Sequence, residues 1–191
     1  MSKSQLSLTF QPLTAERWGD LQNLFGERGA CGGCWCMVWR LTRADFLKQK
    51  GDGNKAAFKK IVKSGQQPGV LAYVDGQPAG WCAVAPREVY SFLERSRVLA
   101  RVDAKPVWSV TCLFVARPFR RTGMSVELLK VATAHAARQG ARIVEGYPVV
   151  PRKNPMPDVF AWTGTVSAFR KAGFKEIARR SATRPIMRIE V

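Results

Sequence analysis

VWSVTCLFVARPFRRTGMSVELL, residues 107–129, is the stretch whose reading decides the fold. Its first nine residues are almost continuously apolar and partly β-branched, as expected of a central strand covered on both faces. Arg117, Arg120 and Arg121 then fall within five residues, followed by Gly123. From there Val126, Leu129, Ala132 and Ala136 recur at helical spacing, and Gly140 supplies the stop. The stretch therefore predicts strand, loop and helix in direct succession. A helix N-terminus presents unpaired backbone N–H groups and a partial positive charge, which together attract anions. Gly123 lets a ligand approach the backbone closely, and Arg120 and Arg121 add formal charge beside the same donors. A pyrophosphate suits this junction; a glycine turn flanked by solvated arginines is the competing reading.

Outward from that stretch, GVLAYVDGQPAGWCAVAP (Gly69–Pro86) is a hairpin with Asp75-Gly76 at its turn. LSLTFQPL (Leu6–Leu13) predicts a first strand, and Thr14 a cap for a helix carrying Trp18, Leu21, Leu24 and Phe25 up to Gly26. Two short helices, Arg43–Lys50 and Asn54–Lys63, are separated by Gly51-Asp52-Gly53. Beyond the long helix come a strand over Ala141–Val150, a proline-rich loop, a helix over Thr163–Lys171 and a closing pair of strands. No internal repeat or linker interrupts this order. One mixed α/β (α+β) domain over residues 1–191 is expected.

The chain holds 31 Lys and Arg against 14 Asp and Glu, a formal charge of +17 scattered from Lys3 to Arg188. Such a balance attracts polyanions and acidic partners without dictating a fold. The chain shows no basic helix, zinc-finger spacing or ribonucleoprotein aromatic motif, so a nucleic-acid-binding module is the weaker alternative. No apolar run approaches the roughly 20 residues of a membrane span. Met1–Phe10 has one lysine and no long apolar core, so neither a secretory leader nor a membrane partner is expected, and the cytoplasm is the default location. Five cysteines there read as reduced thiols.

Arg120-Arg121-Thr122-Gly123-Met124-Ser125 resembles the R/Q-x-x-G-x-G/A signature of the GNAT N-acetyltransferase superfamily, with Ser125 in place of the final Gly or Ala. SAFRKAGF (Ser167–Phe174) is similar to that superfamily's helix and G-F step, and the order of elements matches from Val70 to Val191. The resemblance implies a mostly antiparallel sheet flanked by helices and splayed between its fourth and fifth strands. It also implies an N-acetyltransferase that moves acetyl from acetyl-CoA to a primary amine of a small molecule or protein by direct attack in a ternary complex. Backbone groups of Leu113, Phe114 and Val115 are then expected to pair with pantetheine, and the N–H groups of Arg121 to Val126 to cradle the pyrophosphate. Phe169 is expected against the CoA chain. Residues 26–66 form the variable acceptor-side segment. A homodimer is among the assemblies the resemblance leaves open.

Acetyl transfer requires a neutral amine, stabilisation of the charge that develops on the thioester oxygen, and a leaving thiolate. Ile143, Glu145 and Tyr147 alternate onto one face of their strand. Glu145 is the first candidate base or holder of a cationic substrate, the alternative being an edge-exposed or arginine-paired glutamate. Glu88, in APREVY, is the second candidate on the acceptor side. Many members of the superfamily carry a tyrosine four residues before the glycine of the G-F step, where this chain has Phe169; Tyr147 or Tyr90 is left as the acid, or the thiolate leaves unassisted.

CGGCWCMVWR (Cys31–Arg40) contains a C-x-x-C that lacks an obvious fourth ligand, so no metal is expected and some of its cysteines read as small buried hydrophobes. Trp35 and Trp39 are expected either in the core or on an acceptor pocket wall. His135, in mid-helix, reads as a surface residue.

Overall fold

Apolar strands of the central stretch and the hairpin assemble around the strand Trp108–Val115. A computed structural model describes residues 7–151 and 156–191. The expected strand start at Leu6, most of the leader reading of Met1–Phe10, and part of the proline-rich loop lie outside them. In chain order the elements are β1 (Leu8–Pro12), α1 (Trp18–Phe25), α2 (Arg43–Lys48), α3 (Asp52–Lys63), β2 (Gly69–Val74) and β3 (Gln77–Pro86). There follow α4 (Ser91–Arg95), β4 (Trp108–Val115), α5 (Met124–Arg138), β5 (Ile143–Gly146), α6 (Val166–Lys171), β6 (Lys175–Arg179) and β7 (Pro185–Glu190).

The strands form one sheet in the order β1-β2-β3-β4-β5-β7-β6. Every pairing is antiparallel except that of β4 with β5. That parallel ladder covers only Trp108↔Val144, Ser109↔Glu145 and Val110↔Gly146. Beyond it the two strands part. On the other side of β4, Ala83 pairs with Cys112 while Val84 pairs with Val110, so Thr111 is an extra residue in a β-bulge. A bulge bends and twists its strand, and this one sits where β4 leaves β5. The strand expected over Ala141–Val150 is accordingly cut to four residues, because past Gly146 it has no ladder to join.

Two cores lie on opposite faces. Val110 and Leu113 point toward α5 and α6, joining Leu128, Leu129, Ala132 and Phe169. Cys112 and Phe114 face α1, α3 and the cysteine loop, joining Trp18, Phe25, Trp35, Phe58 and Trp81. A smaller cluster continues that second face below β5 with Trp39, Tyr90, Leu93 and Tyr147.

Two local expectations are corrected, and the cysteine reading stands. Helix α1 starts at Trp18 with Arg17, not Thr14, at its N-cap and no side-chain cap; the Thr14 hydroxyl instead accepts from Arg17 Nη1 at 3.3 Å. His135 is buried, only 2% exposed. The turn before β2 packs onto α5 there, and the His135 ring nitrogen Nε2 meets the Gln67 carbonyl at 3.1 Å. Cys36, Cys82 and Cys112 are buried thiols, as read, whereas Cys31 is exposed.

Candidate active site

Past its ladder with β5, the end of β4 opens onto a cavity of about 540 Å³. Leu113, Phe114 and Val115 line it from β4, and Gly123, Met124 and Ser125 from the start of α5. Ala30 and Cys31 reach it from the acceptor-side segment. The loop before α6 closes the far wall through Asp158, Trp162 and Gly164.

Along β4 the backbone N–H groups alternate in direction. That of Ala116 donates to Ala79 O on the β3 side (2.9 Å), and that of Leu113 donates the other way, to Trp162 O (2.7 Å). Val115 N–H therefore faces the opening. The Leu113 amide is already engaged by a residue distant along the chain, a contact no local pattern signals.

At the cavity's other end, Gly123 is the N-cap of α5 with φ 91° and ψ −6°, and no side chain caps the helix. Its αL conformation and the space around the position where a Cβ would sit leave the backbone open to a ligand. Arg121 also has a positive φ, 63°. Left-handed residues two apart curl the chain so that neighbouring N–H groups line a concave surface. The N–H of Val126 is withdrawn from this set, since it donates to Gly123 O at 2.8 Å. The cradle is thus shorter than expected, running from Arg121 to Ser125. Thr122 turns its hydroxyl back onto Phe119 O (2.7 Å). Arg120 is held in place: Nε donates to Val115 O at 3.0 Å, and Nη1 donates to Asp158 Oδ2 at 3.0 Å. It bridges the signature loop to the opposite wall.

Phe169 does not line the cavity. It is fully buried behind the wall, against Phe174 at 4.9 Å between ring centroids and under Gly146 and Gly164. A Cβ on Gly146 would sit inside its ring. The residue therefore shapes the opening from beneath.

Glu145 and Tyr147 do come together, on the face opposite α5 and beside the last rungs of the β4–β5 ladder. Tyr147 Oη donates to Glu145 Oε2 (2.9 Å) and accepts from Arg87 Nη1 (2.8 Å), with Ser109 Oγ also 2.8 Å away. Arg188 Nη2 and Nε donate to Glu145 Oε1 at 2.6 and 3.1 Å, and Arg188 also grips Asp103. Glu145 is 2% exposed and Tyr147 fully buried. Burial, and then the neighbouring carboxylate, push the Tyr147 phenol far above the usual tyrosine range. Its proton stays on it at any ordinary pH. Glu145 is the arginine-paired glutamate of the second sequence reading, with both oxygens engaged.

Glu88 is not brought to the cavity; it faces outward and binds Arg101 Nη2 at 2.8 Å. Trp35 is buried in the core, stacked on Trp18 at 6.0 Å. Trp39 lies closer to the opening. It stacks on Phe92 (5.2 Å) and meets edge-on Trp162 (5.4 Å), which lines the cavity. Among the described residues, no group of three His, Cys, Asp or Glu side chains is placed to hold a metal ion.

A seven-stranded mixed sheet parted at one parallel pair, with an uncapped, arginine-flanked helix start beside the gap, is an architecture shared with known acetyltransferase structures. The chain belongs to the acetyltransferase (GNAT) family, whose sequence profile matches residues 35–152. Comparison with curated protein sequences gives no match. Similar solved structures include a GNAT-family acetyltransferase from Listeria monocytogenes, with a TM-score of 0.59 at 10% identity over 100% of this chain and 99% of that one. The PaiA N-acetyltransferase of Thermoplasma acidophilum, in complex with coenzyme A, gives 0.53 at 17% identity over 97% and 99%. An aminoglycoside N-acetyltransferase in complex with CoA gives 0.55 at 15% over 95% and 96%. At these identities the likeness establishes the shared fold.

Proposed function

We propose that residues 1–191 form one acetyl-CoA-dependent N-acetyltransferase domain acting on a primary amine in the cytoplasm. One observation carries the reading: the outward-facing Val115 N–H at the end of β4 and an uncapped helix start open onto the same cavity. The edge supplies Val115 N–H, and the helix start supplies backbone donors beside Arg120 and Arg121. These are donors of the kind that a pantetheine amide and a pyrophosphate require, while Val115 O on the same edge is held by Arg120 Nε. Structures of similar fold crystallised with CoA support the same ligand.

Bound acetyl-CoA supplies a thioester carbonyl for an amine to attack. In this chain Arg121–Ser125 hold the phosphates, Val115 aligns the pantetheine arm, and the Leu113 N–H is the strand donor nearest the bulge. That donor becomes available once Trp162 O releases it. Trp39, Phe92 and Trp162 form the aromatic wall on the acceptor side. Glu145 and Tyr147 act as a coupled pair that fixes Ser109 and the start of β5 at the root of the opening. A direct proton abstraction by Glu145 requires breaking its bonds to Arg188 or Tyr147, so the amine arrives neutral, its nitrogen gives a proton to water after attack on the thioester carbon, and the C–S bond breaks to release a thiolate that takes its proton from solvent. Acidic partners are drawn by the net charge of +17.

The test is release of free CoA from acetyl-CoA by the full chain across a panel of primary amines. Amine-dependent release that disappears in Gly123→Trp supports the reading. No release with any amine, together with salt-sensitive binding of DNA or RNA, overturns it.

A further inference from the structure

Two of the β4 backbone groups that a pantetheine arm would pair with are taken by this chain's own residues. Val115 O accepts from Arg120 Nε at 3.0 Å, and Leu113 N–H donates to Trp162 O at 2.7 Å. The two partners are tied to each other. Arg120 Nη1 donates to Asp158 Oδ2 at 3.0 Å, and Asp158 begins the segment Asp158–Trp162, which lines the cavity from the far wall. A strand edge with bare N–H and C=O groups invites pairing. Here the arginine and the segment cover it where the donor would lie.

The segment is fastened unequally. Just past Trp162, Thr163 is buried, and its Oγ1 accepts from Arg184 Nη1 at 2.6 Å. Gly164 O accepts from Val149 N–H at 2.9 Å. At the other end Asp158, Val159 and Phe160 are exposed, and among the described residues the pair with Arg120 is the one side-chain hydrogen bond holding them. Asp158 is also, among the described residues, the one carboxylate that lines the cavity. A negative charge beside a phosphate cradle opposes an anionic donor, so its presence there calls for a role of its own.

We propose that Arg120 and Asp158 form a latch over the donor edge of β4, which the phosphates of the incoming donor open. The inference rests on the acetyl-CoA reading. Arg120 immediately precedes the Arg121–Ser125 cradle, so a pyrophosphate seated there competes for its guanidinium with two negative charges against the single one of Asp158. When Arg120 turns to the phosphates, Val115 O is bared and the Asp158 end of the segment is loosened. Trp162 O then parts from Leu113 N–H, and the pantetheine arm takes the edge. An exposed ion pair shifts an equilibrium by roughly two- to fivefold. The latch therefore yields to a donor that carries phosphates and hinders one that does not. Asp158 is a positioning residue, acting through Arg120.

The test uses the full chain, with inorganic pyrophosphate as one probe and S-acetylpantetheine, which carries no phosphate, as the other; acetyl-CoA titration is run alongside. Site-resolved hydrogen exchange follows the Leu113 amide, and the Val115 amide resonance reports the affinity for S-acetylpantetheine. At constant ionic strength, saturating pyrophosphate speeds Leu113 exchange and tightens S-acetylpantetheine binding roughly two- to fivefold. A ligand that only stiffened the site would slow that exchange. Asp158→Ala shows both gains without pyrophosphate and responds little to its addition. S-acetylpantetheine is uncharged, so removal of a repelling carboxylate does not by itself tighten its binding. Arg120→Met gives the same gain toward S-acetylpantetheine and keeps the test decisive should Asp158→Ala fold poorly. Leu113 exchange that pyrophosphate leaves unchanged or slows, or variants that bind S-acetylpantetheine no more tightly than the unaltered chain, overturn the proposal. Loss of acetyl-CoA binding in the unaltered chain would instead overturn the donor reading beneath it.

Discussion

At the scale of single residues, Glu145 shows how position and role separate. Its carboxylate sits beside Arg188 and Tyr147, with the fully buried Arg87 3.7 Å away, and water has almost no access. Removing one partner of a buried ion pair leaves the other charge uncompensated, at a cost of about 3–5 kcal/mol. Glu145→Gln should lower stability by about that amount in denaturant titration. It should lower kcat while KM for acetyl-CoA changes little, with no shift in the pH profile. A pH profile that loses an inflection in the variant would make Glu145 a proton acceptor and contradict the coupled-pair account.

His135 supplies a second residue-scale prediction. Burial holds its imidazole below the usual histidine range, Arg138 adds to that, and the Gln67 carbonyl opposes it. The folded state thus favours the neutral ring, whereas the unfolded chain takes up a proton near pH ~6.5. Stability from this group is present above ~6.5 and is lost as pH falls through that value toward the lower folded value. His135 is the only histidine in the chain. The depressed carboxylates Asp103 and Glu176 lose their contributions only in a more acid range, below ~4. Melting temperatures measured between pH 7 and 5 should fall, and the fall should flatten in His135→Gln.

Among the elements, the opening between β4 and β5 depends on a short strand, a bulge and a buried ring. Phe169 fills the space under Gly146 and Gly164, so Phe169→Ala should destabilise by about 3–5 kcal/mol through the cavity it leaves. The loop before α6 is part of the same device, because Trp162 O occupies the Leu113 N–H. Hydrogen exchange should show the Leu113 amide protected with or without acetyl-CoA, and Val115 protected only with it. Val115 exchange unaffected by saturating acetyl-CoA would remove β4 from the donor site.

Much at this scale was legible from residue order. β4 is a dense apolar run, α5 has a clear stripe and a glycine start, and the Asp75-Gly76 turn fixes the hairpin; each is local information. Ser125 and Gly123 likewise marked the helix start without tertiary knowledge. What the sequence hid was non-local. Whether Phe169 touches a ligand or a glycine, whether Glu145 meets arginine or water, and whether His135 is covered depend on segments tens of residues away. Trp162 carried no motif at all.

For the whole molecule, the net charge of +17 acts at long range. The lysines of α3, two of which lie over Trp18 and Trp35 rings, and the arginines of the signature loop give an approaching polyanion a favourable field. The Debye length shrinks from about 10 Å at 0.1 M to about 3 Å at 1 M salt. Association of acetyl-CoA, followed by stopped flow, should therefore slow as salt rises, with dissociation much less affected. The measurement that bears most directly on the account is calorimetric titration of the full chain with acetyl-CoA, alongside Gly123→Trp. The account predicts one site per chain with a dissociation constant in the micromolar range, roughly −8 kcal/mol, and no detectable binding by the variant. Absence of heat with the unaltered chain, or unchanged affinity in Gly123→Trp, would contradict it.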